Sequence, residues 1–137
     1  HHVVSKRVVK FFDEHHTYDL VYCQIPPNDV AREIGKCAHK YGIPFVVDVN
    51  DLWPEAFRVA LDVPVLSDIF FAPFYKQAKA TYQLADAIVG TSQEYRDRGV
   101  RDARSGIPNE VVYVGNQLAE FDAGVAKNAV LIDMPVP

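Results

Sequence analysis

The chain has 137 residues, of which 49% are hydrophobic and 23% charged, and its formal net charge is −4. These values predict one folded domain with its own core and exclude a disordered chain. No basic stripe favours nucleic-acid binding, and no apolar run approaches the roughly 18 residues that a membrane span needs.

Helical and strand patterns alternate from the start of the chain. Apolar residues recur every three to four positions over residues 4–16, which predicts a helix. The β-branched and aromatic stretch Tyr18–Ile25 predicts a strand. Asn28, after two prolines, is the predicted N-cap of a second helix that ends near Gly42. The nearly continuous apolar run "PFVVDVN" predicts a second strand that is covered on both faces.

The same alternation continues in the middle of the chain. "DLWPEAFRVAL" predicts a short helix with Pro54 in its first turn, and "VPVLSD" predicts a loop or turn. Helical spacing returns over residues 67–85, where Pro73 predicts a kink or a restart. "ADAIVGTS" is typical of a third strand, and Thr91–Glu94 matches a capping box that begins another helix.

The later part of the chain is predicted to hold a polar loop and a fourth strand. "RGVRDARSGIPNE" is charged and contains glycine and proline, so we expect a loop there. In and beside it, Arg96, Arg98, Arg101 and Arg104 are expected to form a solvated surface. Val111–Asn116 is typical of a strand. The order of elements predicts an α/β fold, with a Rossmann-like parallel sheet flanked by helices.

The cysteines and the first residues give further expectations. Cys23 lies in a predicted strand and Cys37 on the apolar face of a predicted helix, which predicts reduced core thiols in a cytosolic protein. The chain begins with His1-His2 rather than methionine, and "VLIDMPVP" has the composition of a linker. We therefore expect a piece of a longer protein, and an expression tag would explain His1-His2.

Polar and aromatic side chains follow the predicted strands at their carboxyl ends. In open parallel sheets, ligands bind in the crevice beyond these ends. A sugar has hydroxyls on its rim and C–H groups on its faces, so a carboxylate and an amide beside an indole suit it. The candidates for a substrate cleft are Asn50, Asp51, Trp53, Glu55, Thr91, Ser92, Glu94 and Asn116.

Several of these candidates also have a structural interpretation. Asp51 could cap the helix that follows it, and Glu55 could complement the dipole of that helix. Capping explains Thr91 and Glu94, and packing explains Trp53. The spacing of the residues leaves both interpretations open.

The sequence lacks the motifs of several other chemistries. "DEHH" at residues 13–16 is not a zinc motif, because adjacent residues of a helix point about 100° apart. No glycine-rich phosphate loop and no G-x-S-x-G elbow occur. We therefore expect no metal site and no cofactor in this chain, and the catalytic residues stay unassigned.

Four stretches, taken in order, resemble bacterial family 4 glycosyltransferases. They are "YDLVYCQIPP", "YGIPFVVDVNDLWPE", "YQLADAIVGTSQEYRDRG" and "VVYVGNQLAEFD", within about residues 18–122. The most specific part is "DLWPE" after the second strand. Ser92 to Glu94 also matches a serine-glutamate-like step of that family.

The resemblance implies the later part of the N-terminal, acceptor-side domain of a retaining GT-B enzyme. Residues 1–125 would be this partial domain, and residues 126–137 a linker toward a C-terminal donor domain outside this chain. The whole enzyme would move a sugar from a nucleotide-sugar to a glycan or lipid-linked acceptor, in the synthesis of lipopolysaccharide or capsule. Asn50 and Asp51 would face the cleft between the two domains.

The same resemblance has consequences for this chain by itself. The nucleotide-sugar would bind the other domain, so the chain alone is expected to be inactive. The enzyme would be cytoplasmic, or peripheral at the inner membrane face where its acceptors are lipid-linked. A partial sheet would leave one edge strand unpaired, which favours self-association.

Two other classes of protein share parts of this pattern. A receiver-like regulatory domain would use Asp48 or Asp51 as its phosphorylated carboxylate and Thr91 or Ser92 as its switch hydroxyl. It also needs an acidic pair after the first strand and a lysine after the last, where the sequence offers only Asp29 and no lysine. A non-catalytic interaction domain is the third interpretation.

Overall fold

The computed structural model contains one sheet in which every neighbouring pair of strands is parallel. It describes residues 2–56, 64–115 and 122, with the backbone alone for residues 2 and 64–68. The predicted α/β fold with a Rossmann-like parallel sheet is confirmed. In their order across the sheet, the strands are β1 (Val21–Ile25), β2 (Phe45–Val49), β3 (Ala87–Gly90) and β4 (Asn109–Val111).

The described helices precede or connect these strands. Where helix α2 ends, the N–H of Tyr41 donates to the last helical carbonyls and Gly42 follows at a φ of 68°. Glycine adopts this left-handed conformation without strain, so the predicted end of the helix is confirmed. The helices are α1 (His2–Glu14), α2 (Asn28–Lys40), α3 (Pro64–Leu84) and α4 (Gln93–Asp102).

All four of these helices pack on one face of the sheet. Gly99 of α4 lies against this face, since a Cβ there would be 2.9 Å from the side chain of Ile88. The other helices contribute to one core with alternate residues of the strands. This core includes Phe12, Ala31, Ala38, Ala78 and Tyr82 from the helices, and Ile25, Phe45, Val47, Val49 and Ile88 from the strands.

The opposite face of the sheet is not covered by the described residues. Tyr22 is 56% exposed on it, and Val46, Asp48 and Val89 are only half-buried. The prediction that β2 is covered on both faces is therefore wrong for the described structure. The strands follow one another across the sheet in chain order. Because crossovers between parallel strands share one hand, every connecting helix then lies on the same side of the sheet. β1 is an edge strand of this sheet, and self-association through its edge stays a prediction.

Two stretches that were predicted as loops are partly helical. Helix α3 begins at Pro64, so "VPVLSD" lies largely in its first turns, where proline is well tolerated, and the helix continues through Pro73. Helix α4 continues to Asp102 and so includes the start of "RGVRDARSGIPNE". The ion pair from Arg98 to Asp102, four residues apart at 2.6 Å, supports this last turn.

The strands are shorter than predicted, and β4 lies earlier in the chain. β1 begins at Val21 rather than Tyr18. β4 pairs through residues 109–111, whereas the prediction was Val111–Asn116. Its partner β3 has only four residues, so the ladder ends before Tyr113 although the apolar pattern continues.

Two predicted helix caps are displaced by one residue. Asn28 is the first residue of α2 and makes no capping bond, since Pro27 takes the N-cap position. The N-cap of α4 is Ser92, whose Oγ accepts a hydrogen bond from the N–H of Tyr95 at 3.2 Å. The capping box predicted for Thr91–Glu94 therefore does not form.

Other expectations on local structure have mixed outcomes. Cys23 is half-buried and Cys37 buried, and both are free thiols. Burial raises the pKa of Cys23 to about 11.

The helix predicted in "DLWPEAFRVAL" is described only to Ala56, whose N–H donates to the carbonyl of Leu52 at 2.7 Å. The later part of that predicted helix lies outside the described residues. None of the described helices is long and apolar enough to cross a membrane.

Candidate functional site

The segments that follow the strands lie side by side at the carboxyl edge of the sheet. The N–H of Asn50 donates to the carbonyl of Ile25, and the N–H of Thr91 to that of Val49, each at 3.2 Å. Ligands bind at this edge in open α/β sheets. Two open clefts lie along the described part of this edge, and Asp51 lines both of them.

The first cleft, which we call the Trp53 pocket, has a volume of about 480 Å³. The rings of Trp53 and Phe74 meet edge to face, with centroids 5.6 Å apart and planes at 84°. An aromatic wall with a few polar groups is the usual lining of a small-molecule site. Among the described residues, the polar lining of this pocket includes Asn28, Asp29, Asp51 and Gln77.

Asn28 is the most buried polar side chain of the Trp53 pocket. It is 3% exposed, and its Oδ1 has no hydrogen-bond partner among the described residues. Its backbone carbonyl accepts a hydrogen bond of 2.9 Å from the buried hydroxyl of Thr81 on α3. An unpaired buried acceptor is costly. A ligand group that donates a hydrogen bond to the Oδ1 of Asn28 would remove this cost.

The second cleft, the Arg98 cleft, has a volume of about 910 Å³ and lies between α4 and the segment after β2. Arg98 is only 6% exposed, and its guanidinium donates to Glu55 and to Asp102. Burial acts to lower the pKa of Arg98, but these two carboxylates outweigh it and raise the pKa. The guanidinium also lies over the ring of Tyr82, 5.3 Å from its centroid. Arg98 is therefore an internal ion-pair residue, and the prediction of a solvated surface is wrong for it.

Some of the residues that were predicted from the sequence line the clefts, and others bond to backbone carbonyls at the edge of the sheet. Asp51 and Trp53 line the Trp53 pocket, and Asp51, Glu55 and Glu94 line the Arg98 cleft. Thr91 and Asn50 lie at the edge but line neither cleft. The side chain of Asn50 donates to the carbonyl of Asp48 at 3.4 Å, and the hydroxyl of Thr91 donates to that of Val49 at 3.5 Å.

A further candidate, Ser92, lines neither cleft, and another lies outside the described residues. Ser92 caps α4 with its hydroxyl, and Asn116 lies outside the described residues. Asp48 points to the uncovered face of the sheet, where burial and, after it, the neighbouring Asp48 carboxylate raise the pKa of Tyr22 to about 12.

Among the lining residues of the two clefts that sequence reasoning did not select are Asn28, Arg98, Phe74 and Gln77. Asn28 was interpreted as a cap and Arg98 as solvated surface. Phe74 and Gln77 reach the Trp53 pocket from α3, three residues apart and so on one side of the helix. The sequence signal for this site was the position of Asn28, three residues after the end of β1.

The described residues give no sign of a metal centre. No group of three or more His, Cys, Asp or Glu side chains among them could hold an ion. His15 and His16, which follow α1, place their Nδ1 atoms 3.2 and 3.3 Å from carbonyls of that helix, and His16 stacks on Tyr41. The histidine pair is thus part of local packing.

No protein-family model, curated protein or solved structure matches this chain. The fold class that the coordinates define is α/β, with an all-parallel Rossmann-like sheet. The family to which this chain belongs is therefore proposed below and is not shown by a match.

Proposed function

We propose that this chain is the acceptor-side part of a retaining glycosyltransferase with two Rossmann-like domains. The observation that carries this proposal is the position of Asp51, which lines two open clefts at the carboxyl edge of a parallel sheet. A carboxylate there can accept hydrogen bonds from sugar hydroxyls, and charge assistance strengthens them. The indole of Trp53, in the same pocket, suits the apolar face of a sugar ring.

The charges of the two clefts favour the acceptor over the donor. The described lining of the Trp53 pocket includes Asp29 and Asp51, and no basic residue is among the described residues that line it. In the Arg98 cleft, Arg98 is bound by two carboxylates and Arg101 lies 3.8 Å from Glu55. A nucleotide diphosphate needs free positive groups, and the helix N-termini that reach the two clefts carry acidic residues in their first turns, Asp29 in α2 and Glu94 in α4. In this proposal the free positive groups come from a second domain, and the chain alone transfers no sugar.

The biological setting follows from the resemblance described above. The acceptor is a glycan or a lipid-linked sugar, and the product belongs to a surface polysaccharide such as lipopolysaccharide or capsule. Such an enzyme works in the cytoplasm or at the inner membrane face. A receiver-like domain has less support, because in the flavodoxin-like order of such domains the first strand lies inside the sheet. Here β1 is at the edge of the described strands.

The test uses the longer product of the gene, if sequencing of the flanking DNA shows one. Radiolabelled UDP-, GDP- and dTDP-sugars are supplied with membrane and soluble glycan acceptors, and transfer is measured. Asp51→Asn keeps the shape of the side chain and removes its charge, so we expect a lower rate with an unchanged melting temperature. The matched control is Asp19→Asn, an exposed aspartate before β1 at the other end of the sheet.

The outcomes separate the proposal from its rivals. A reduced rate for Asp51→Asn alone supports it. A gene product without a second α/β domain, or one that transfers no sugar from any donor, contradicts it and favours a non-catalytic interaction domain. Early melting of Asp51→Ala with normal turnover would assign Asp51 to helix capping, because alanine, unlike asparagine, cannot cap a helix.

A further inference from the structure

The Trp53 pocket contains the start of helix α2, and no side chain at the N-cap position caps this helix. Pro27 takes that position and makes no side-chain capping bond. Its carbonyl accepts the hydrogen bond from the N–H of Ala31 at 3.1 Å, so the N–H groups before Ala31 have no partner within the helix. Asn28 and Asp29, the first two residues of α2, both line the pocket. Because the first N–H groups of a helix point out of its N-terminus, this end of the pocket has backbone hydrogen-bond donors.

The side chain of Asn28 adds a hydrogen-bond acceptor beside these donors. It lines the pocket and is 3% exposed, yet its Oδ1 has no partner among the described residues. The contact between this residue and α3 is made by the backbone instead, because it is the carbonyl of Asn28 that accepts from the hydroxyl of Thr81. Buried polar atoms are almost always hydrogen-bonded, so an unpaired acceptor in the wall of a pocket favours a ligand that donates to it.

An apolar wall lies in the same pocket as these polar groups. The rings of Trp53 and Phe74 form one part of it, with centroids 5.6 Å apart, and Pro26 and Pro27 form another. The volume of about 480 Å³ is toward the lower end of the roughly 300–1,000 Å³ of small-molecule sites. The pocket therefore has room for one sugar ring with a small substituent that is partly apolar.

An acetamido group matches all three features of the pocket. Its N–H can donate to the Oδ1 of Asn28, its carbonyl can accept from the N–H groups at the start of α2, and its methyl group can cover the apolar wall. A hydroxyl has a single oxygen for both hydrogen bonds and has no methyl group. An O-acetyl ester has the carbonyl and the methyl group but lacks the donor, so it leaves the buried acceptor unpaired.

We infer that the Trp53 pocket binds an N-acetylated amino sugar of the acceptor, with its acetamido group between the side chain of Asn28 and the start of α2. This inference rests on the proposed function, because it names the chemical class of the acceptor unit. The sugar ring lies against Trp53, and its hydroxyls donate to Asp51. The acetamido group gives the pocket its preference for this class over simple hexoses.

Trp53 allows a direct test, because it is the only tryptophan of the chain. Its fluorescence is recorded while the chain is titrated with methyl glycosides that differ only at C2, where they carry an acetamido group, an O-acetyl group or a hydroxyl. The glucose, galactose and mannose series are each titrated, so that the ring stereochemistry is varied independently. Within a series, the ratio of the acetamido affinity to the O-acetyl affinity isolates the N–H that donates to Asn28.

We expect saturable binding of at least one acetamido glycoside at millimolar or lower concentration. The O-acetyl counterpart, which loses one hydrogen bond, should bind about fivefold more weakly. The hydroxyl counterpart also loses the methyl contact, so it should bind about tenfold more weakly or less tightly still.

Asn28→Leu keeps the approximate size of the side chain and removes the acceptor, so the ratio of acetamido to O-acetyl affinity should fall toward one. The matched control is Gln24→Leu, at an exposed amide of β1 that does not line the pocket, and it should keep the ratio. A change that only loosened the fold would weaken all the glycosides and leave the ratio unaltered. If Asn28→Leu does not fold, the ratio measured on the parent chain still decides.

Several results would overturn the inference. They are an O-acetyl glycoside that binds as tightly as its acetamido counterpart, a folded Asn28→Leu variant that keeps the full ratio, an acetamido glycoside that binds by calorimetry without changing Trp53 fluorescence, and no binding of any glycoside well above millimolar. Sugar transfer by the longer protein, with no response of Trp53 to acetamido glycosides, would overturn this inference and leave the transferase proposal standing. Binding with the expected ratio but no transfer would do the reverse.

Discussion

Arg98 on α4 and Glu55 after β2 form an ion pair across the Arg98 cleft, although 43 residues separate them in the chain. The guanidinium is almost fully buried, and Asp102 supplies its second carboxylate at 2.6 Å. The pair ties the segment that follows Asp51 to α4. A contact between residues so distant in sequence therefore holds one wall of the candidate site.

Breaking this ion pair should destabilise the fold. Glu55→Gln keeps the shape of the side chain but leaves the buried Arg98 with one carboxylate. Removing a partner from a buried pair costs about 3–5 kcal/mol. Because Glu55 is partly exposed and Asp102 remains, we expect a decrease of about 2 kcal/mol in the free energy of unfolding, measured with urea. In the control Arg101→Ala, at an exposed position, the decrease should stay below about 0.5 kcal/mol. Equal effects of the two changes would contradict a structural role for the pair.

Gly90 should not tolerate a larger side chain. A Cβ at this position, where β3 ends, would collide with the backbone of Arg96, whose Cα would lie 2.7 Å away. Backbone cannot move aside as a flexible side chain can, so Gly90→Ala should lower the unfolding free energy by about 1–3 kcal/mol. Gly115→Ala is the matched control, since a Cβ there meets nothing within 4 Å. Chemical denaturation of both variants gives the comparison, and similar stability would refute the close approach of α4 to the strand.

The cap of α4 can be assigned by two alanine substitutions. Ser92→Ala removes the hydroxyl that accepts from the N–H of Tyr95, which should cost about 1 kcal/mol of stability. Thr91→Ala removes only a contact of 3.5 Å with the carbonyl of Val49, so we expect a loss below about 0.5 kcal/mol. Thermal unfolding of the two proteins checks this order. A larger loss for Thr91→Ala would restore the capping box that the sequence predicted.

Asp86 should make the stability depend on acid. It accepts hydrogen bonds from the N–H of Phe45 at 2.9 Å and from Arg104 at 2.8 Å, and His39 lies 3.8 Å away. Burial alone would raise the pKa of Asp86, but these bonds outweigh it and hold the pKa below its usual 3.8. Since the folded-state pKa is the lower one, the carboxylate stabilises the fold fully above pH 3.8 and progressively less as the pH falls through the folded-state pKa.

Asp86→Asn tests this dependence. The variant should be less stable than the parent at pH 7 and should lose less further stability on acidification, as measured by urea unfolding at a series of pH values. Asp19→Asn, at an exposed aspartate, should keep the parent's acid dependence. If Asp86→Asn loses stability at low pH as steeply as the parent, another carboxylate dominates the acid response.

The alternation of elements and the position of the candidate edge could be predicted from the sequence. Strand patterns at residues 44–50 and 85–92 correspond to β2 and β3, because hydrophobic periodicity is a local property of the chain. The carboxyl ends of parallel strands lie at the same edge of the sheet, in whatever order the strands are arranged. Asp51 and Trp53 could therefore be placed at that edge before the helices were known.

Only the tertiary structure decided which other side chains complete the site. "RGVRDARSGIPNE" was predicted as a loop because its composition is polar. Its first residue, Arg98, is nevertheless buried and bonded to Glu55, a partner that no local sequence pattern reveals. Phe74 and Gln77 enter the Trp53 pocket from α3 only because that helix crosses the start of α2, where Thr81 binds the carbonyl of Asn28. Burial of a charge or an amide depends on compensation by groups distant in sequence, and the packing of helices on the sheet supplies those groups.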